Sequence, residues 1–267
     1  VANTLRISAY PFLHGGVIFE TDSSPSMKQL AQAVIHFGKR FLFCSTNSID
    51  RADQLGMRSE QAVHVGEGVD LQRIFCRPIP SLEQGRFQIT FVGYLSPHRG
   101  LDQLVRACAL LQDEIPRIHV TIVGNDPTGY RTELERVIQQ VGVAHSVEFL
   151  GRLPRAQYES LLARTHVVSL LLRGPKTGSL AACLEAQAAG IPVLTTGQAG
   201  LGEYVDDGKT GLLCGLSPES AADALMRIFR GYQNNRWKPQ SIRAWAANHS
   251  WEQVAENIER ALLAEQQ

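Results

Sequence analysis

Three runs of this sequence join a β-branched segment to a glycine-marked turn carrying a charge. The first is Gln88-Ile-Thr-Phe-Val-Gly93-Tyr-Leu-Ser-Pro-His98-Arg99-Gly100-Leu-Asp102, a strand ending in glycine, then a polar turn, then a helix start. Ligands of an open α/β sheet bind outside the carboxyl ends of its strands. Arg99 is therefore expected on the rim of a cleft, where its fixed fork of donors suits phosphate oxygens; the same spacing also fits an exposed loop arginine. The second run, Ile122-Val-Gly124-Asn-Asp-Pro-Thr-Gly129, repeats the strand-to-glycine turn. It lacks the G-x-G-x-x-G spacing of a dinucleotide site, which argues against a nicotinamide enzyme.

The third run, Leu172-Arg173-Gly-Pro-Lys176-Thr177-Gly178-Ser179-Leu180-Ala-Ala-Cys183-Leu-Glu185, leads from a strand through a small polar loop into a helix. Thr177 or Ser179 can cap that helix and leave outward-facing amides at its positive end, a geometry that binds an anion such as pyrophosphate. Lys176 adds a mobile cation beside it, but no Walker glycine spacing precedes it. Glu185 stands on a helix otherwise built of Leu, Ala and Cys. A carboxylate there needs donors, either ligand hydroxyls or a neighbouring base; the alternative is a helix-surface glutamate. Two further loops could approach a bound group, Thr196-Gly197-Gln-Ala-Gly200-Leu-Gly202-Glu203 and His14-Gly15-Gly16. The eight histidines contain no H-x-x-x-H pair, so catalytic zinc is not expected; His98 adjoins Arg99 on its rim loop.

These residues need a scaffold, and the hydrophobic pattern supplies one. Strands are expected at Gln88 to Val92, Ile118 to Val123, Val147 to Leu150, His166 to Leu172 and Ile191 to Thr195. Helices are expected at Leu101 to Gln112, Tyr130 to Val141, Arg155 to Arg164, Leu180 to Ala189 and Pro218 to Arg230. Short apolar runs alternating with amphipathic stretches read as βαβ units around a parallel sheet covered on both faces. The first 75 residues read as a half-size α/β unit: strands at Val17 to Glu20, Phe41 to Cys44 and Ala62 to Val65, with a helix at Ser26 to Phe37. Ser241 to Leu263 reads as one terminal helix with Trp245, Val254, Ile258 and Leu262 on its apolar stripe.

Composition narrows the class. The 267 residues carry 26 basic and 26 acidic side chains, a formal charge of zero, which leaves no bulk footprint for nucleic acid. Five scattered cysteines, Cys44, Cys76, Cys108, Cys183 and Cys214, suit buried thiols in a reducing compartment, so a cytoplasmic location is expected. No stretch approaches the ~20 apolar residues of a membrane span, and no secretory leader is expected at Val1.

Taken in order, the fragments resemble the family 4 glycosyltransferases, the retaining group 1 transferases typified by glycogen synthase and sucrose synthase-like enzymes. The likeness runs from His64-Val-Gly-Glu-Gly68-Val69-Asp70 to Phe75, through Phe91-Val-Gly93, Arg99-Gly100, Val123-Gly124 and Val147-Glu-Phe-Leu-Gly151. It continues through Leu184-Glu185-Ala-Gln-Ala-Ala-Gly190-Ile-Pro192, Glu203, Gly208, Gly211 and Ser250-Trp251-Glu252. The resemblance implies a two-domain GT-B α/β fold: residues 1–80 a truncated N-terminal, acceptor-side domain, 81–240 a Rossmann-like nucleotide-sugar domain, and 241–267 a helix packing back toward the N-terminal part. It implies transfer of a sugar from a nucleotide-diphosphate sugar to a glycan, lipid or small-molecule acceptor, with retention. No metal or cofactor is implied, since the nucleotide sugar is a substrate.

The resemblance also assigns positions. Glu185 matches the second glutamate of the family's paired-Glu motif, which holds the ribose hydroxyls, and Arg99 stands where a family lysine neutralises the donor phosphates. Arg99, Lys176 and Thr177 take the catalytic positions. Gly93, Gly151, Arg152, Gly178, Ser179, Leu180 and Glu185 take the donor-binding ones. The sequence departs from the family at Thr177, where the first motif glutamate should stand, and at Tyr94, which replaces an arginine. Its N-terminal part is also shorter than the family's. These departures open a second reading, a nucleotide-sugar-binding or partner subunit with impaired catalysis. The resemblance leaves room for peripheral membrane association and for a partner chain that supplies the missing N-terminal portion; no nucleic-acid partner is implied.

Overall fold

The computed structural model describes residues 11–13, 24–76, 78, 80, 82, 86–174, 178 and 180–263. These form two compact units. The smaller comprises Val1–Gly68, Pro175–Gly178 and His249–Gln267, and the larger comprises Val69–Gly174 and Ser179–Asn248.

The larger unit is a six-stranded parallel sheet. Its strands are β4 (Arg86–Val92), β5 (Arg117–Val123), β6 (Val147–Gly151), β7 (Val167–Leu170), β8 (Val193–Thr195) and β9 (Gly211–Leu213), in the order β6-β5-β4-β7-β8-β9. Numbered within the sheet this is 3-2-1-4-5-6, the doubly wound order whose direction reverses between β4 and β7. β4 runs in register with β5 from Arg86 against Arg117 to Val92 against Val123, and with β7 at Ile89 against Val167. The central strands are buried on both faces because helices cover both, so they read as continuous apolar runs without alternation.

The covering helices are α3 (Leu101–Leu110), α4 (Tyr130–Gln140), α5 (Arg155–Leu162), α6 (Leu180–Ala188), α7 (Pro218–Gln233) and α8 (Pro239–Ala247). α3 buries Leu101, Leu104, Val105 and Cys108, and α4 buries Tyr130, Leu134 and Ile138, the spacings of a single helical face. One core joins Phe87, Ile89, Phe91, Leu104, Ile122, Leu194, Leu225 and Trp237.

The smaller unit has a three-stranded parallel sheet in sequence order: β1 (Phe12–Leu13), β2 (Phe41–Phe43) and β3 (Ala62–His64). Helices α1 (Pro25–Phe37), α2 (Thr46–Gln54) and α9 (Trp251–Leu263) belong to it. Its core is small: Ile35, Phe41, Phe43, Ala52, Leu55 and Met57. The strand expected at Val17 to Glu20 lies outside the described residues.

The expected single helix from Ser241 to Leu263 is two helices. α8 stops at Asn248, and Ser250 restarts the chain as a cap whose hydroxyl accepts from the Gln253 N–H at 3.2 Å. The Ser-Trp-Glu-Gln spelling is that of a helix start. Trp245 and Val254 consequently sit in different units and share no stripe. All five cysteines are free thiols, and burial raises the pKa of Cys108, Cys183 and Cys214. No helix among the described residues is long and apolar enough to cross a membrane.

Candidate functional site

At the carboxyl ends of β4, β5 and β6, beside the β4–β7 junction where the strand order reverses, the larger unit opens into a cavity of about 650 Å³. Its floor is main chain. Gly93 N–H donates to Val123 O at 3.0 Å, Leu95 N–H to Asn125 O at 2.9 Å, and Gly124 N–H to Gly151 O at 2.9 Å, so the ladder continues past the strands into their loops. Gly124 has φ +143°, and a Cβ there would stand 1.8 Å from the Gly93 carbonyl oxygen. Only glycine lets the two turns touch.

Arg99 lines this cavity. A 3-10 turn, Pro97–Arg99, carries it, and Gly100 follows at φ +64° with its α-carbon against Leu171, where a Cβ would lie 2.0 Å from the carbonyl. Burial lowers the Arg99 pKa; the guanidinium remains a cation at any physiological pH. The loop behind it is braced: Arg173 N–H donates to His98 O at 2.9 Å, and Arg173 Nη2 to Asp102 Oδ2 at 3.0 Å.

Glu185 faces the same cavity from α6. That helix is buried nearly all round, leaving only Ala181 and Glu185 open, one turn apart on a single stripe. Both line the cavity, as does Ala182, and the small alanines keep its wall low. Glu185 Oε1 accepts from Arg155 Nη1 at 2.9 Å.

The structure thus brings Arg99, Gly93, Arg152 and Glu185 together in one lining. Gly151 sits one residue before Arg152 and takes part through its carbonyl. Leu180 is buried at the start of α6, and neither it nor Gly178 is in the lining. Lys176, Thr177, Ser179 and the His14-Gly15-Gly16 segment lie outside the described residues. Two polar lining residues, Arg155 and Tyr158, were read only as part of a helix, and Asn125 only as part of a turn. Burial alone would lower the Arg155 pKa, but its bonds to Glu159 and Glu185 outweigh this and raise it. Among the described residues no three His, Cys, Asp or Glu side chains are grouped so as to share a metal ion.

A parallel sheet of this order, with an arginine and a carboxylate lining one cavity over a glycine floor, suits a phosphorylated ligand bearing hydroxyls. The sequence pattern of the family described as "Glycosyl transferases group 1" matches residues 73–244, more than half of the chain. The chain belongs to this family. It is 33% identical over 177 residues to the D-inositol 3-phosphate glycosyltransferase of Corynebacterium urealyticum, covering 64% of this chain and 41% of that protein. Against the enzyme of the same name from Corynebacterium jeikeium it is 29% identical over 247 residues, 81% of this chain and 58% of that one. The chain therefore spans about half the length of these curated relatives. Among solved structures it resembles Anabaena HepE in complex with UDP and glucose, with TM-score 0.83, 21% identity, and coverage of 98% of this chain and 73% of that one. It also resembles the sucrose-phosphate synthase of Thermosynechococcus elongatus, with TM-score 0.80, 20% identity, and coverage of 99% and 70%. Likenesses this distant in sequence show the fold alone, which is GT-B-like.

Proposed function

We propose that the cavity holds a nucleotide-diphosphate sugar and that the chain serves transfer of its sugar to a hydroxyl of an acceptor, with retention and without a metal. The observation that carries this reading is the convergence of Arg99 and Glu185 on one cavity at the switch point of the sheet. Glu185 accepts hydrogen bonds from the ribose hydroxyls, as an ionised carboxylate can only accept. Arg99 faces the diphosphate, and Arg152 lies in the same wall beside the base. When the bond from the anomeric carbon to the diphosphate breaks, negative charge grows on the leaving oxygens, and a cation fixed there lowers the barrier without reorganising. The acceptor oxygen attacks the face the diphosphate leaves, which gives retention. HepE binds UDP and glucose, and the curated relatives are named for an inositol phosphate; these make UDP the first nucleotide, and polyol phosphates the first acceptors, to assay.

Titration calorimetry with UDP, GDP and ADP tests the reading. At least one should bind, and Arg99→Ala should weaken it about 30-fold, the loss of one charge-assisted hydrogen-bonded contact. Unchanged affinity in that variant refutes the donor-site assignment. Thr177, at the position of the family's first motif glutamate, favours one alternative: binding of the nucleotide sugar without turnover, which a transfer assay across the acceptor panel separates from catalysis.

A further inference from the structure

Two side chains from one face of α5 converge on Glu185. Arg155 and Tyr158 are three residues apart and so share that face. The Arg155 guanidinium is braced twice, Nε donating to Glu159 Oε1 at 2.8 Å and Nη1 to Glu185 Oε1 at 2.9 Å, with its carbon 5.9 Å from the centre of the Tyr158 ring. The Arg155 and Glu185 side chains are 45% and 26% exposed. An ion pair this open adds little to stability, so its main effect is on where the carboxylate points.

Tyr158 lines the cavity at 7% exposure; its buried hydroxyl makes no hydrogen bond of ordinary geometry, although the Glu185 carboxylate is close enough to act on it. Burial, and after it the Glu185 carboxylate, raises the phenol's pKa well above the ordinary value, so the proton stays and is available to donate. A buried hydroxyl left unpaired costs free energy. In a cavity wall, such a group points to an acceptor on a ligand.

We propose that α5 tunes the Glu185 site: Arg155 is a positioning residue that occupies one carboxylate oxygen and turns the other to the cavity, while the Tyr158 hydroxyl donates to the same vicinal diol. Together they select a ribose over a pentose that lacks one of its adjacent hydroxyls. The inference rests on the donor-site reading above, and its test keeps the two apart.

The test uses the full chain and whichever of UDP, GDP and ADP binds most tightly, compared with its 2′-deoxy form by calorimetry. The wild type should prefer the ribonucleotide about tenfold, the value of one net hydrogen bond. Arg155→Ala and Tyr158→Phe should each narrow that preference to about threefold, and Arg155→Lys, which keeps the cation, should lose less. In a Glu185→Gln background, Arg155→Ala should have no further effect, because its partner's charge is gone. Unchanged discrimination in either Arg155→Ala or Tyr158→Phe overturns the proposal. So does an Arg155→Ala loss that is equal for both nucleotides and persists with Glu185 replaced, as that would be a structural effect. A wild type that binds none of the three diphosphates overturns the donor-site reading itself. Tyr158→Phe preserves the buried ring, so the test survives if Arg155→Ala fails to fold.

Discussion

The two halves of the six-stranded sheet meet at β4 and β7 and are built on different plans. Strands β4, β5 and β6 have 7, 7 and 5 residues, whereas β7, β8 and β9 have 4, 3 and 3. In the first half the main-chain ladder runs on into the loops, so backbone makes the cavity floor. The second half contributes side chains on α6, and its loop after β8 leaves room at Gly197, where a Cβ would come no nearer than 3.7 Å to Leu213 and 3.9 Å to Gly202. The first half supplies the floor together with Arg99, Arg152, Arg155 and Tyr158, and the second sets a carboxylate, Glu185, in the same lining. A site divided in this way can change its chemistry on α6 while the floor stays constant.

The sharpest test of that difference compares alanine at one glycine from each half. Gly124→Ala must place a methyl on the Gly93 carbonyl and hold a strained φ, which together should cost about 3–4 kcal/mol and about 10 °C in melting temperature. Because Gly93 and Gly124 line the cavity, nucleotide binding should be lost as well. Gly197→Ala, at φ +71° with room around it, should cost only the conformational strain of about 1 kcal/mol and leave binding intact. Equal losses from the two substitutions would mean that the halves do not differ as described.

The same contrast explains what was legible in the sequence. The parallel sheet was legible because unbroken runs such as Gln88 to Val92 and Ile118 to Val123 leave no polar face for solvent. Glu185 stood out because a lone carboxylate on an alanine-rich helix has no local partner. Arg155 did not, because with Glu159 it spells an ordinary i, i+4 surface pair; its cavity-facing partner is 30 positions away and is brought near only by the crossover between β6 and α6. Tyr158 was not singled out within the expected Arg155 to Arg164 helix; its ring is core, and the setting of its hydroxyl is a fact of three dimensions. α2, with Asn, Ser and Asp among its residues, has the composition of a turn and is helical because Ser45 caps it. The break at Asn248 was spelled in Ser250 and Gln253, but the apolar spacing of Trp245, Val254 and Ile258 outweighed it.

Where the halves join, an ion pair is added to the main-chain bond from Arg173 N–H to His98 O. Arg173, on the loop after β7, pairs with Asp102 in the first turn of α3, their side chains 35% and 24% exposed. Asp102→Asn keeps the shape and removes the charge. For a pair this open the loss should stay under about 1 kcal/mol, a drop of about 2–4 °C at low salt. Screening should close most of that gap near 1 M salt, where the Debye length falls to about 3 Å. A gap indifferent to salt would show that Asp102 acts through shape alone.

The smallest expected effect lies one contact further along this seam. Tyr130 donates to Asp102 Oδ1 at 3.4 Å, a weak bond, and burial followed by the Asp102 charge raises the phenol's pKa to about 12. A raised pKa means that the folded state keeps the proton while the unfolded chain begins to release it near pH 10. The stability tied to this proton is fully present below pH 10 and is lost as pH rises toward 12. Tyr130→Phe has no proton to lose. Its melting temperature should match the wild type at pH 7 to within a degree or two, the range of one weak hydrogen bond, and fall less steeply between pH 10 and 12. Parallel curves for the two proteins across that interval would show that the phenol titrates alike in both states, and that the seam depends on the Arg173–Asp102 pair without it.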